Sequence, residues 1–264
     1  PDVAHRCWLH RDLHSFARTR ILPKVLDDPR NMNEENTEQN IVRVREMLLF
    51  RRYLVETGMS DRKIEAAVGS GRMVRLVPGA FVLREAWGIL RSEERLLART
   101  LAVAHLNRRR TVVFSHHSAA AIWGLPLWSQ RDQSVSVLTP IKSPSRRSGS
   151  VRRHIDAWGD ADICEVAGLQ VTTLSKTIVD LARYASPELS IGVADAGLRR
   201  MFGFGRNKIV SESSELYEWR GSQLERLEAM RGERGVRRAR RQVVLADRRA
   251  DPAGRIAGDF WAAA

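Results

Sequence analysis

Two short helical stretches separated by a glycine turn, followed at once by an alternating basic hairpin, occupy residues 50–84: FRRYLVETGMSDRKIEAAVGSGRMVRLVPGAFVLR. Gly58-Met59-Ser60 reads as the turn, because glycine tolerates the positive φ that ends one helix and a serine hydroxyl caps the next. In the second stretch, Asp61 to Gly69, Ile64, Ala67 and Val68 share one side at helical spacing while Arg62, Lys63 and Ala66 face the other way. Gly69 and Gly71 end it. Arg72 to Val77 then alternates with period two, Pro78-Gly79 makes a turn, and Ala80 to Leu83 runs back. Helix, turn, helix and hairpin in this order outline a winged helix-turn-helix.

The segment carries Arg51, Arg52, Arg62, Lys63, Arg72, Arg75 and Arg84 against Glu56, Asp61 and Glu65, a net charge of +4. A second helix bearing Arg and Lys, with arginines on the hairpin beside it, suits a helix that enters the major groove between phosphate contacts. A helix–hairpin unit can equally serve only to pack domains together, and the residues alone leave both roles open. The whole chain is strongly basic too, with 44 Lys and Arg against 31 Asp and Glu, hence +13 over 264 residues. Such a chain favours a polyanionic partner through counterion release. Nucleic acid is the first candidate and a membrane surface the second. No apolar run reaches the ~18 residues of a spanning helix and no signal-peptide core stands out, so a cytoplasmic protein without membrane contact is expected.

Cys7 and Cys164 are the only cysteines and lack the spacing of a disulfide framework or a zinc site. Pro1 stands where an initiator methionine is expected, which predicts a processed chain, a fragment or an incomplete gene model. In residues 1–40, His5, Trp8, His10 and His14 follow no sustained period, and Asn31 to Asn40 reads as a polar linker. His10 and His14 are at i, i+4 spacing, but without a third ligand they read as a solvated helix face rather than a metal site. No metal and no cofactor is implied.

Past the linker, Ile41 to Leu49 is an apolar-periodic helix, and Ser92 to Asn107 is a longer amphipathic helix expected to join the hairpin to the next domain. Thr111 to Phe114 reads as a strand, and Ser115 caps a helix through Trp123 that opens with His116-His117. These histidines would need a nucleophile or carboxylate partner to be catalytic, and local hydrogen bonding is the simpler role. Ser134 to Leu138 alternates as a half-exposed strand, Val151 to Ile155 is another, and the runs flanking Ala167-Gly168 form a hairpin. Thr173 caps a helix to Tyr184. Within it Ser175-Lys176-Thr177 lacks the glycines of a phosphate-binding loop, and Asp180 reads as an ion pair or cap.

Arg237, Arg238, Arg240 and Arg241 fall on one contiguous face of a last helix, Val236 to Leu245, opposite Val236, Ala239 and Val243. This face is either solvated or an additional nucleic-acid surface. The fold class expected is α+β. A winged helix-turn-helix over 41–90 comes after the 1–40 extension and linker, then a mixed α+β domain over 91–200 and a basic helical tail over 201–264.

Three segments in series, GMSDRKIEAAVGSGRMVRLVPGAF (58–81), SHHSAAAIWGLP (115–126) and GLQVTTLSKTIVDLAR (168–183), resemble the AbiEi-type antitoxin and transcriptional-regulator family, the antitoxin half of type IV toxin–antitoxin systems. The resemblance covers about 41–250. It implies a non-enzymatic regulator whose winged helix binds operator DNA and represses its own operon. A second domain, C-terminal to the winged helix, would serve antitoxin activity against a nucleotidyltransferase-like toxin. By that analogy the DNA contacts are Arg51 and Arg52 on the first helix, Arg62 and Lys63 on the recognition helix, and Arg72 and Arg75 on the wing. Phe50 departs from the small polar cap usual before the first helix. Many relatives continue after a basic helix like GVRRARRQVVLADRRA (235–250) into a DUF559 domain, similar to very-short-patch-repair endonucleases. Here the residues after Ala250 lack its converging carboxylates, implying a truncated nuclease domain. A nuclease remnant and a non-DNA-binding interaction scaffold are the alternative readings.

Overall fold

The computed structural model describes residues 34–128, 133–139, 147–156, 158–202 and 214–229. The protein is mixed α+β with a three-stranded and a six-stranded sheet, and its contacts divide it into two units between Arg110 and Thr111.

In the first unit, helix α1 runs Glu34–Glu46, strand β1 Leu49–Phe50, α2 Arg51–Glu56 and α3 Asp61–Gly69; β2 (Met73–Val77) and β3 (Ala80–Leu83) come next, then α4 (Arg84–Ile89) and α5 (Ser92–Leu106). Two expectations change here. The segment read as a polar linker is helical from Glu34, because Thr37, Ile41 and Val44 form a buried stripe at i, i+4, i+7 while Glu38 and Gln39 between them face outward. That helix stops at Glu46. Leu49–Phe50 instead pairs antiparallel with β3, Leu49 opposite Phe81 and Phe50 opposite Ala80. Phe50 therefore needs no capping side chain: it is a strand residue with extended backbone, and the amide of Arg51 donates to the Gly79 carbonyl at 2.9 Å.

The turn forms as its residues dictate. Gly58 has φ +92, and Ser60 Oγ accepts from the Lys63 amide at 3.4 Å to start α3. Ile64 and Ala67 face inward and are buried, as are Leu54, Met73, Phe81 and Leu97 of the same unit, each fully buried Ile, Leu, Met or Phe side chain contributing about 1.5–3 kcal/mol. Gly79, at φ +85, closes the β2–β3 turn, and a bulge between Arg75 and Val77 shifts the register there. Helix α5, expected as a connector, belongs to this unit and packs against α1 and β2. Its Glu94 is buried, bonded to the Arg91 amide at 2.9 Å and ion-paired with Arg43 of α1.

In the second unit the strands are β4 (Val113–Phe114), β5 (Val135–Thr139), β6 (Arg147–Ser148), β7 (Val151–Ile155), β8 (Ile163–Val166) and β9 (Leu169–Thr172), in spatial order β6-β7-β5-β4-β9-β8. β5 runs parallel to β7 and β4 parallel to β9; the other pairs are antiparallel. The helices are α6 (His116–Ile122), α7 (Leu174–Tyr184), α8 (Pro187–Phe202) and α9 (Ser214–Ala229), with α7 packed against both α6 and α8. Positive φ at both Ala167 and Gly168 gives the β8–β9 hairpin the two-residue turn its strand twist favours. Thr173 caps α7 by accepting from the Lys176 amide.

Strand β5 is not half-exposed. Val135, Ser136, Val137 and Leu138 are all buried, since a strand inside a mixed sheet is covered on both faces. Its serine, Ser136, is hydrogen-bonded rather than solvated. The Ser136 amide donates to Ser118 Oγ at 2.9 Å, and Ser136 Oγ lies 3.3 Å from His154 Nε2.

Candidate nucleic-acid interface

Helix α3 turns Ile64 and Ala67 inward and leaves Asp61, Arg62, Glu65, Ala66 and Gly69 exposed. Its two exposed acids are each met by an arginine from a neighbouring element. Arg51, at the start of α2, grips Asp61 with Nε at 2.8 Å and Nη2 at 2.5 Å. Arg75, on β2, places Nη2 2.5 and 2.6 Å from the two oxygens of Glu65 while its guanidinium lies 5.4 Å from the Phe81 ring centre. Asp61 and Glu65 thus tie α3 to the helix before it and to the hairpin after it. Arg52 pairs with Glu56 one turn along α2 at 2.8 Å.

These pairs change how the cationic residues are read. Arg51, Arg52 and Arg75 each have a carboxylate at hand, whose side-chain hydrogen bond raises the pKa of Arg51 and of Arg52 further. Arg62 has no ion-pair partner among the described residues and is exposed. Lys63, beside it, is half-buried, its amide held by the Ser60 cap. At the base of the hairpin, Arg72 donates through Nε to Ser70 Oγ at 3.1 Å, and Arg84 donates to the Gly71 carbonyl at 3.0 Å. Neither of these contacts neutralises charge. Among the described residues of this element, Arg62 on α3 and Arg72 and Arg84 at the hairpin base are cations not matched to a carboxylate. Exposed ion pairs are weak, so Arg51, Arg52 and Arg75 can exchange their carboxylates for phosphate at small cost. Arg237, Arg238, Arg240 and Arg241 lie outside the described residues, as do Cys7, His5, Trp8, His10 and His14.

The second unit gathers a different set of charges. Asp156, just past β7, accepts from Arg183 Nη1 at 3.0 Å and from Lys176 Nζ at 3.4 Å, and Lys176 Nζ also donates to Asp180 Oδ1 at 3.1 Å. All four residues are buried. Asp180 Oδ2 has no hydrogen-bond partner among the described residues, and burial pushes the Asp180 carboxyl up to about 6 despite the adjacent ammonium.

Beside this cluster, His116 opens α6 at φ +49 and stacks on His154 with ring centres 3.6 Å apart; Tyr184 lies 5.0 Å away. His116 Nδ1 is 3.1 Å from Ser115 Oγ. Burial, then the charges of His154, His117, Lys176 and Arg183, holds His116 well below its ordinary pKa. The ion pair expected of Asp180 exists, formed with Lys176 one turn before it rather than with a loop. Lys176 is held by carboxylates, consistent with rejecting a phosphate-binding loop. Spacing gave no hint that His116 would stack on His154, which lies 38 positions further on in another strand. Cys164 donates to the Val171 carbonyl at 3.7 Å, and burial raises its thiol pKa.

Among the described residues, no group of three or more His, Cys, Asp or Glu is placed to hold a metal ion, and no helix is long and apolar enough to cross a membrane. No protein-family model matches the chain, and no curated protein matches it.

Proposed function

We propose that the chain is a non-enzymatic DNA-binding transcriptional regulator of antitoxin type. In this reading α2, α3 and the β2–β3 hairpin act as a winged helix-turn-helix on operator DNA in the cytoplasm. The observation that carries it is the exposed, un-neutralised Arg62 in the first turn of α3, together with Arg72 and Arg84 at the hairpin base, past the other end of that helix. Small side chains at Ala66 and Gly69 leave room on the same exposed face for close approach to a groove. The resemblance of residues 58–81, 115–126 and 168–183 to AbiEi-type antitoxins supplies the regulatory context: autorepression of an operon whose other product is a nucleotidyltransferase-like toxin. The carboxylates Asp156 and Asp180 are buried and bonded to Lys176, which supports a structural rather than a hydrolytic role for them.

The test is fluorescence anisotropy of the full chain with labelled duplex DNA over a salt series. Affinity should fall steeply with salt, by about 0.9 logarithmic units per tenfold salt for each phosphate contact. The double reversal R62E/R72E should abolish binding. Unchanged affinity in that variant would overturn the assignment.

A further inference from the structure

Three consecutive arginines, Arg108, Arg109 and Arg110, leave the end of α5, and all three are exposed. Unlike Arg51, Arg52 and Arg75, none of them has an acidic partner among the described residues. Their backbone is held in place. Asn107 caps α5 through Nδ2 on the Val103 carbonyl at 2.8 Å, Arg108 Nη1 reaches the His105 carbonyl at 3.1 Å, and the Arg110 amide donates to the Asn107 carbonyl at 2.7 Å. They line an open depression of about 540 Å³ with Leu106 and Asn107.

The same end of α5 is fixed to the helix–hairpin element. The Leu106 side chain lies against the hairpin turn, 3.8 Å from where a Cβ on Gly79 would stand. His105 stacks on Phe50, the residue before α2, with ring centres 3.8 Å apart. Partial desolvation of the His105 ring first, and the charges of Arg108 and Arg45 second, lower its pKa.

We infer that Arg108, Arg109 and Arg110 form a second phosphate-binding patch, beside the hairpin turn, that grips the backbone of the same DNA duplex. The inference rests on the DNA-binding reading above. Guanidinium groups present forked donors suited to phosphate, and a run of them suits an anion that repeats along an axis, as the duplex does about every 1.7 Å. Fixed to the hairpin turn and to β1, the patch would hold one register relative to α3 and contribute to affinity without reading sequence.

Anisotropy with the full chain and a mixed-sequence duplex of about 30 base pairs separates the two claims through the salt slope, which loses about 0.9 for each phosphate contact removed. R108A/R109A/R110A should lower the slope by about 2–3 and weaken binding at least tenfold at about 0.1 M salt. R109A alone should lower it by about 0.9. R108K/R109K/R110K should keep the slope, because charge rather than packing is at issue. Wild-type slope and affinity in both alanine variants, with R62E/R72E still abolishing binding, would overturn the patch and leave the interface standing. A wild-type chain that fails to bind duplex DNA at all would overturn both.

Discussion

The two units hold their charges in opposite ways. In the first, the arginines of the helix–hairpin element are at the surface, and Arg51 and Arg75 meet carboxylates that are more than half exposed. In the second, Lys176, Asp180 and Arg183 are at most 4% exposed and Asp156 is 8%, so their pairing is set in low dielectric. Water screens the first set, whose pairs can be traded for another anion; the second is enclosed, and every member depends on the others. The first arrangement suits a reversible partner, the second a fixed core.

The largest expected effect falls on the enclosed set. Lys176→Met leaves Asp180 without its cation and should destabilise the protein by roughly 3–5 kcal/mol, read from urea unfolding. The double variant K176M/D180L removes both charges of that pair and should recover most of the loss, because apolar packing replaces a buried pair at little net cost. If K176M unfolds with wild-type stability, the contrast between the units collapses.

A smaller effect should appear in the pH dependence, where two buried groups oppose each other. His116 is held neutral in the fold, well below 6.5, so the unfolded chain takes up its proton first and acidification through 6.5 disfavours the fold. Asp180 is raised from 3.8 to about 6, so between those values the folded state binds the extra proton and acidification favours the fold. The two contributions offset each other in the wild type. Asp180→Asn should therefore lose stability as pH falls from about 7 to 5, and His116→Phe should gain it over the same range. Parallel profiles for the two variants would show that neither proton is linked to folding. Variants at Arg62 or Arg109 should leave this profile unchanged.

The smallest effect sharpens the other side of the comparison. Glu65→Ala removes the carboxylate that Arg75 gives up on meeting a phosphate, so DNA affinity should rise a few-fold, by the small cost of breaking an exposed pair, with the salt slope little changed. Weaker binding in this variant would mean that Arg75 needs Glu65 to hold its position.

Features of the fold that depend on a few neighbouring residues were legible in the sequence. Ser60 and Thr173 cap helices because a hydroxyl reaches an amide three residues on, and Ala167-Gly168 turns a hairpin because both residues take positive φ. The inward face of α3 follows from helical spacing. Burial and strand partnership were not legible. Thr37 looked like linker until its stripe met a core, and Ser136 looked solvated until Ser118 and His154 supplied its hydrogen bonds.

The sequence by itself determined where α3 and the hairpin begin and end, and that this segment carries an excess of positive charge. Only the tertiary structure decided which of those charges stay available. Asp61 and Glu65 reach Arg51 and Arg75 across ten positions, from other elements, whereas no such partner meets Arg62 among the described residues. It likewise brought Asp156 to Arg183 across 27 positions. The physical reason is range. Caps and turns are settled by bonds within a few residues, while neutralisation and burial depend on which distant side chain the packed backbone delivers within about 4 Å.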